Sequence, residues 1–298
     1  MKIYDCFTFF NELELLELRL ASLYDVVDRF VIVEADKTHA NEPKPFNFYE
    51  NIRAYEKYLP KIEYVMDTSV VPYKGVGDWS IENNQRNNIM KGLGDAAPDD
   101  LIMISDADEI PNPAIIRTIR ESFTDRNKRV DLVAFYETTP YTKNKLVPFH
   151  CGMRINDFLD LSPVGCQQKF HSYYFDWVSR TLLWSGTVIG KLKHMTSPQA
   201  FRNAREVLPR IPNGGWHFSN MGGVNKVAEK MAAAVECVEL SAVDAKYLDK
   251  NFLSEAMANG KYFHTRAKFI PCDVSKIKLP ALKNFLEKYP HFVRGKNT

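Results

Sequence analysis

Apolar positions along the first 136 residues alternate between two rhythms. Short continuous runs occur at Ile3 to Phe10, Phe30 to Ala35, Ile62 to Met66, Leu101 to Ile104 and Asp131 to Tyr136. Such runs are the pattern of strands covered on both faces. Between them apolar residues recur every three or four positions, at Leu13, Leu16, Leu20 and Leu23, then Ile81, Ile89 and Leu93 with the polar Gln85 on the same stripe, then Ile115, Ile116, Ile119 and Phe123. These stripes predict helices with one buried face. Asn11 with Glu14 three residues later reads as a capping box for the first; Ser80 and Gly94 bracket the second, and Pro111 and Pro113 precede the third. Alternating strands and helices predict an α/β fold, a mainly parallel sheet flanked by helices on both faces with right-handed crossovers. A polar stretch from Asp36 to Glu50, containing Pro43 and Pro45, reads as a loop long enough to be a lid or a donor-side contact.

From residue 137 to about 215 no single period holds. Aromatic residues are frequent there, among them Tyr141, Phe149, Phe158, Phe170, Tyr173, Tyr174, Phe175, Trp177 and Trp184, and most are expected to pack in the core. One long helix is predicted from Val224 to about Leu240 after Gly222-Gly223, and a last one from about Pro280 to Tyr289. No repeat or linker divides the chain, so residues 1–298 are expected to form one domain, with a regular half over 1–136 and an irregular half over 137–298.

The run Leu101-Ile102-Met103-Ile104 ends abruptly in Ser105-Asp106-Ala107-Asp108-Glu109-Ile110-Pro111. In open α/β sheets ligands bind beyond the carboxyl ends of such strands. In extended backbone Asp106 and Asp108 point to one side and can reach one cation, and paired carboxylates suit Mg²⁺ or Mn²⁺ with substrate phosphate oxygens. The bland alternative is a solvated acidic turn closed by Pro111. In Gly214-Gly215-Trp216-His217, His217 is either a hydrogen-bonded core residue or a third metal ligand. Arg86, four residues after Glu82, is either half of a surface ion pair or a guanidinium held for a phosphate or uracil. Glu137, Asp157, Asp160 and Asp176 can each supply a general base. His171, His194 and His264 show no partner at metal-ligand spacing.

The chain has 298 residues, 45% hydrophobic and 26% charged, with a net charge of +2 and scattered basic residues, so nucleic acid is not expected as a partner. Five cysteines without a C-x-x-C pair indicate neither a disulfide framework nor a zinc site. With no basic leader, no apolar run of the roughly 20 residues a membrane span requires and no N-x-S/T site, a cytoplasmic protein is expected. Gly75-Val76-Gly77 lacks the spacing and lysine of a P-loop, and neither G-x-S-x-G nor H-E-x-x-H occurs.

Taken in order, Ile3-Tyr4-Asp5-Cys6-Phe7-Thr8-Phe9-Phe10-Asn11-Glu12, Leu23 to Asp28 running into Phe30 to Glu34, Gln85-Arg86-Asn87, Ser105 to Pro111, Trp184-Ser185-Gly186-Thr187 and Gly215 to Ser219 resemble glycosyltransferase family 17, the β-1,4-mannosyl-glycoprotein 4-β-N-acetylglucosaminyltransferase-like enzymes. The resemblance implies a GT-A-like (Rossmann-like) fold, with the nucleotide-sugar and metal in the first half and the glycan acceptor against the second. It implies inverting transfer from a UDP-sugar, UDP-GlcNAc first. Asp106 and Asp108 would then hold Mn²⁺ or Mg²⁺ on the donor diphosphate with Glu109 close by, and His217 would be a ligand. Cys6, Phe7 and Thr8 would line the nucleotide pocket, and Glu34 would meet uracil or ribose. The base is left unassigned, with Asp108, Glu109 and Asp157 as candidates for catalytic roles. Two other readings are carried: a haloacid-dehalogenase-type phosphohydrolase with Asp106 as nucleophile, and a catalytically silent glycan-binding protein of the same fold.

Overall fold

Ile3–Phe9 (β1), Arg29–Ala35 (β2), Ile62–Asp67 (β3) and Leu101–Asp106 (β4) form the parallel part of one sheet, in the order β3-β2-β1-β4. They belong to a computed structural model that describes residues 1–125, 127–137, 146–151, 154–262 and 267–295, without the side chains of 133–137 and 146–151. Tyr141 and His264 lie outside the described residues, as do the side chains of Glu137 and Phe149. The expected alternation of strands is met because both sheet faces are covered. On one face Phe7, Ile32 and Met103 pack with Leu16 and Leu20 of Leu13–Leu23 (α1). On the other, Cys6, Val31, Val33 and Ile104 pack with Ile89 and Leu93.

Antiparallel strands extend this sheet. Leu132–Glu137 (β6), Leu146–Cys151 (β7), Val164–Ser172 (β8), Trp177–Lys191 (β9) and Arg210–Ser219 (β10) continue it in the order β4-β9-β8-β10-β6-β7. Glu109–Pro111 (β5) pairs with β10, and Phe269–Pro271 (β11) with β9. The remaining helices are Asn47–Glu50 (α2), Ser80–Asn87 (α3), Pro113–Ser122 (α4), Ile155–Leu159 (α5), Pro198–Asn203 (α6), Val224–Ala233 (α7), Val235–Val243 (α8), Lys250–Ala258 (α9) and Leu282–Lys288 (α10). The aromatic residues of the second half are largely core: Phe170, Tyr173 and Trp177 pack with Met231 of α7 and Leu253 of α9. No helix among the described residues is long and apolar enough to cross a membrane.

Local details differ from the expected boundaries for identifiable reasons. α1 starts at Leu13, and Glu12 rather than Asn11 satisfies the entry, accepting the amides of Phe10 and Asn11 at 3.3 and 3.1 Å. Asp78, not Ser80, closes the start of α3 by accepting the Ser80 amide at 3.0 Å. The stripe through Leu93 is completed by a 3-10 segment, Asn88–Leu93. The single helix expected from Val224 is two, because Ala234 adopts extended backbone (φ −83°, ψ 141°) and turns the chain between α7 and α8.

Candidate active site

The acidic strand end is held from below by a buried arginine. Arg19 of α1 pairs with both carboxylate oxygens of Asp5 in β1, at 2.8 and 2.6 Å, and both side chains are fully buried. Its remaining donors go to the Ser105 hydroxyl at 2.6 Å and to the carbonyls of Asp106, Ala107 and Glu109 at 2.8, 3.2 and 2.9 Å. A planar fork with five donors suits this task, since one side chain can satisfy several carbonyls of a tight turn.

From the side, β10 clamps the turn. His217 stands opposite Glu109, and the Phe218 amide donates to the Asp108 carbonyl at 2.8 Å. Gly215 lies opposite Pro111 with φ +151°, and a β-carbon there would fall 2.3 Å from the Ile110 carbonyl oxygen. Only glycine permits that approach.

Glu109 is fully buried beneath the turn. It accepts from Arg202 of α6 and from Trp184 Nε1, each at 2.5 Å, and from the Asp106 amide at 3.1 Å. Its oxygens are thus occupied by structure, and it does not line the cavity above.

That cavity, of about 330 Å³, is walled by Thr8, Phe9, Phe10, Trp79, Arg86, Asp106, Asp108, Trp184, His217, Lys230 and Glu236, among others. Asp106, whose side chain is 38% exposed, is flanked by Arg86 at 2.8 Å and Arg202 at 3.0 Å. Burial alone would raise its pKa, but the two guanidiniums hold it well below the usual carboxylate range. Asp108 accepts from Lys230 of α7 at 3.1 Å, and His217 Nε2 is 3.5 Å away. Burial opposes its ionisation too, yet Lys230 and His217 lower its pKa. The turn at Ala107 and Asp108, rather than an extended strand, is what presents both aspartates to one space.

The residues expected from sequence separate cleanly. Thr8, Arg86, Asp106, Asp108 and His217 share the cavity. Arg86 pairs with Glu82 at 2.9 Å, but the pair is largely buried rather than on the surface, and its guanidinium faces the cavity beside Asp106. Cys6 and Phe7 are fully buried, Cys6 with its thiol pKa pushed up by burial and Phe7 under the Arg19 guanidinium at 4.2 Å, so only Thr8 of that trio reaches open space. Glu34 is also fully buried and does not line the cavity. It receives Lys44 Nζ at 2.9 Å, the amides of Asn47 and Phe48 at 2.5 and 3.0 Å, and the Tyr64 hydroxyl at 2.9 Å, which leaves no site for a nucleotide contact. Asp157 is elsewhere, paired with Arg154 at 2.6 Å.

Two carboxylates on one wall fit a divalent ion that takes its other ligands from water and phosphate. The expected third ligand is not assembled. Among the described residues no three His, Cys, Asp or Glu side chains are gathered for a metal ion. His217 instead lies flat against Phe170 at 5.0 Å and near Trp184 at 4.5 Å, with its buried Nδ1 lacking a partner.

Arg19, Asp5, Arg202, Lys230 and Glu236 were not anticipated. Asp5 left a readable trace, a charge interrupting the apolar run of β1. The others did not, since Lys230 and Glu236 belong to helices whose relation to β4 is set by tertiary packing.

Comparison with known proteins agrees with the resemblance. The model for glycosyltransferase family 17 matches residues 1–130, which contain the whole acidic turn. The β-1,4-mannosyl-glycoprotein 4-β-N-acetylglucosaminyltransferase of Homo sapiens is 34% identical over 107 residues, 34% of this chain and 20% of its own length. The Mus musculus enzyme is 33% identical over the same share of each chain. The match thus spans about a fifth of the length of these curated relatives. Looser likenesses are found to S. aureus TarS 1-349 (TM-score 0.37, 12% identity, 98% of this chain and 80% of that one) and to glucosyl-3-phosphoglycerate synthase from Mycobacterium tuberculosis (TM-score 0.29, 11% identity, 74% and 68%), the latter solved with Mn²⁺, UDP and phosphoglyceric acid.

Proposed function

We propose, from the premise that residues 1–130 belong to glycosyltransferase family 17, that this chain is a glycosyltransferase. In this reading it moves a sugar from a UDP-sugar, UDP-GlcNAc first, to a glycan hydroxyl, with inversion at the anomeric carbon. The observation that carries the reading is the acidic turn within the matched segment, whose Asp106 and Asp108 both line the cavity of about 330 Å³.

Arg86 and Lys230 stand beside those aspartates and supply positive charge for a donor diphosphate. Thr8, at the end of β1, and the neighbouring Phe9 and Phe10 give the nucleotide side of the cavity a polar and an apolar wall. Asp106 and Asp108 would hold a divalent ion, sharing their oxygens with the flanking cations. Such an ion supplies Lewis-acid neutralisation of the charge that develops on departing UDP. The phosphohydrolase alternative is less well supported, because an Asp106 nucleophile would have to attack with a guanidinium on each oxygen.

The test is UDP release by the purified chain from a panel of UDP-sugars, with Mn²⁺, with Mg²⁺ and with a chelator. Release from UDP-GlcNAc that a chelator stops and Mn²⁺ restores is the expected outcome. Asp106→Asn should lower it about 10²–10³-fold per folded molecule, with the chain still folded because Arg86 and Arg202 keep Glu82 and Glu109 as partners. Full activity in Asp106→Asn would remove the acidic site. Phosphate release from simple phosphate esters would favour the phosphohydrolase, and donor binding without turnover the silent glycan-binding protein.

A further inference from the structure

An inverting transfer needs a base for the acceptor hydroxyl, and the cavity limits which acid can serve. Among the described residues five acids line it: Glu12, Glu82, Asp106, Asp108 and Glu236. Four are occupied. Glu12 accepts two backbone amides at the start of α1. Glu82 pairs with Arg86 at 2.9 Å and lies 3.4 Å from His39. Asp106 carries two guanidiniums, and Asp108 carries Lys230 and His217.

Glu236 differs. It stands in the first turn of α8, brought to the cavity wall by the extended Ala234 between α7 and α8. Among the described residues it forms no ion pair, Lys230 and His39 acting on it only from a distance, and the hydrogen bond that bears on its ionisation is to its own backbone amide. Of the acids of the second half offered by the sequence, Asp157, Asp160 and Asp176 lie off the cavity and are each paired, with Arg154, Lys191 and Arg294, while the side chain of Glu137 lies outside the described residues.

We propose that Glu236 is the general base of the transfer, a catalytic residue that receives the proton of the acceptor hydroxyl. The proposal rests on the glycosyl-transfer reading above. As the hydroxyl oxygen bonds to the anomeric carbon, the bond from that carbon to the diphosphate oxygen breaks and its electron pair leaves with UDP. The proton passes to a carboxylate oxygen of Glu236, so charge and atoms balance without a further reactant. Its surroundings suit the task. Its side chain is exposed to the open cavity; the partial burial it has there and the neighbouring Glu82 raise its pKa above the ordinary glutamate value, while Lys230 and His39 oppose both.

The experiment compares wild type, Glu236→Gln, Glu236→Asp and Glu137→Gln. UDP release from UDP-GlcNAc is followed with water and with soluble oligosaccharides as acceptors, alongside calorimetric binding of UDP. Glu236→Gln is expected to lower turnover about 10²–10⁴-fold, with UDP affinity and melting temperature unchanged. Glu236→Asp should recover part of that loss. The wild-type rate should rise with pH through a raised glutamate pKa, and Glu236→Gln should lose that limb. Wild-type turnover retained in Glu236→Gln, or lost only in Glu137→Gln, overturns the assignment. A wild-type chain that binds UDP but releases none from the donor removes the base and leaves the nucleotide site standing. Failure to bind UDP at all removes the transfer reading itself.

Discussion

Carboxylates sit on both sides of the acidic turn, and their situations are opposite. Below it, Asp5 and Glu109 are wholly buried and each meets an arginine, Arg19 or Arg202, at 2.6 and 2.5 Å. Above it, Asp106 is 38% exposed and opens on a cavity with positive charge nearby. Buried ion pairs gain little net stability because desolvation offsets attraction, yet breaking one is costly. The floor is therefore best understood as a device for fixing backbone shape. Arg19 carries hydrogen bonds to three carbonyls of the turn as well as to Asp5, and Arg202 to the Gly186 carbonyl as well as to Glu109. The upper face leaves Asp106 partly exposed, its oxygens shared with Arg86 and Arg202 where a ligand can reach them. The same residue types thus serve as scaffold or as binding group according to what closes over them.

The sharpest way to break that comparison is to empty the floor. Arg19→Met leaves Asp5 charged and unpaired, and should cost about 3–5 kcal/mol of stability, read by denaturant unfolding. Arg19→Met with Asp5→Leu replaces the pair by apolar groups and should regain most of that stability. Turnover should not return, because the carbonyls of Asp106, Ala107 and Glu109 still lack their donor. Recovery of both together would mean the floor only stabilises and does not position.

How much of this was legible depends on whether the information is local. β1, β4 and α4 follow from apolar period, and the start of α4 from Pro113, though its cap, Asn112, whose side chain accepts the Ala114 amide at 3.0 Å, was seen only in the structure. The acidic turn announced itself because a buried run stops at Asp106. The break at Ala234 left no mark, since Ala232-Ala233-Ala234-Val235 contains neither glycine nor proline and reads as uninterrupted helix. That break brings α8, and with it Glu236, to the cavity. Cys6, Phe7 and Glu34 lie on the strands the family likeness pointed to, but β1 is covered on both faces and the end of β2 is buried, so none of them reaches open space. Sequence pattern finds the strand; only packing says which of its residues reach the ligand.

Two histidines on neighbouring strands allow a finer test. His217 is paired with Phe170 and His171 with Phe218 across β8 and β10, so the two imidazoles face opposite sides of the sheet. His171 is on the closed side, 2% exposed, with Nδ1 donating to the Phe175 carbonyl at 2.9 Å. Burial lowers its pKa to about 4. An unfolded chain takes up this proton below about 6.5 while the folded one resists, so stability should fall as pH drops from there to about 4. The loss should total roughly 3 kcal/mol and level off below the folded pKa. His171→Asn, which keeps a donor, should flatten this part of the stability–pH curve. An unchanged slope would assign the acid sensitivity to other groups.

Trp184 belongs to both regions and gives the smallest expected effect. Its indole nitrogen donates to Glu109 in the floor at 2.5 Å, while its ring lines the cavity and lies 4.5 Å from that of His217. Trp184→Phe keeps an aromatic face beside His217 and removes only the donor. Glu109 retains Arg202 and the Asp106 amide, so the carboxylate is not orphaned. The cost should be about 1.5–3 kcal/mol, the value of one hydrogen bond to a charged group, and the turnover of the folded fraction should change little. If turnover collapses while the melting temperature holds, the indole acts on the cavity side, through a contact to the bound ligand. If the melting temperature falls and turnover follows only the folded fraction, Trp184 is part of the floor, and the boundary between scaffold and binding face runs through a single side chain.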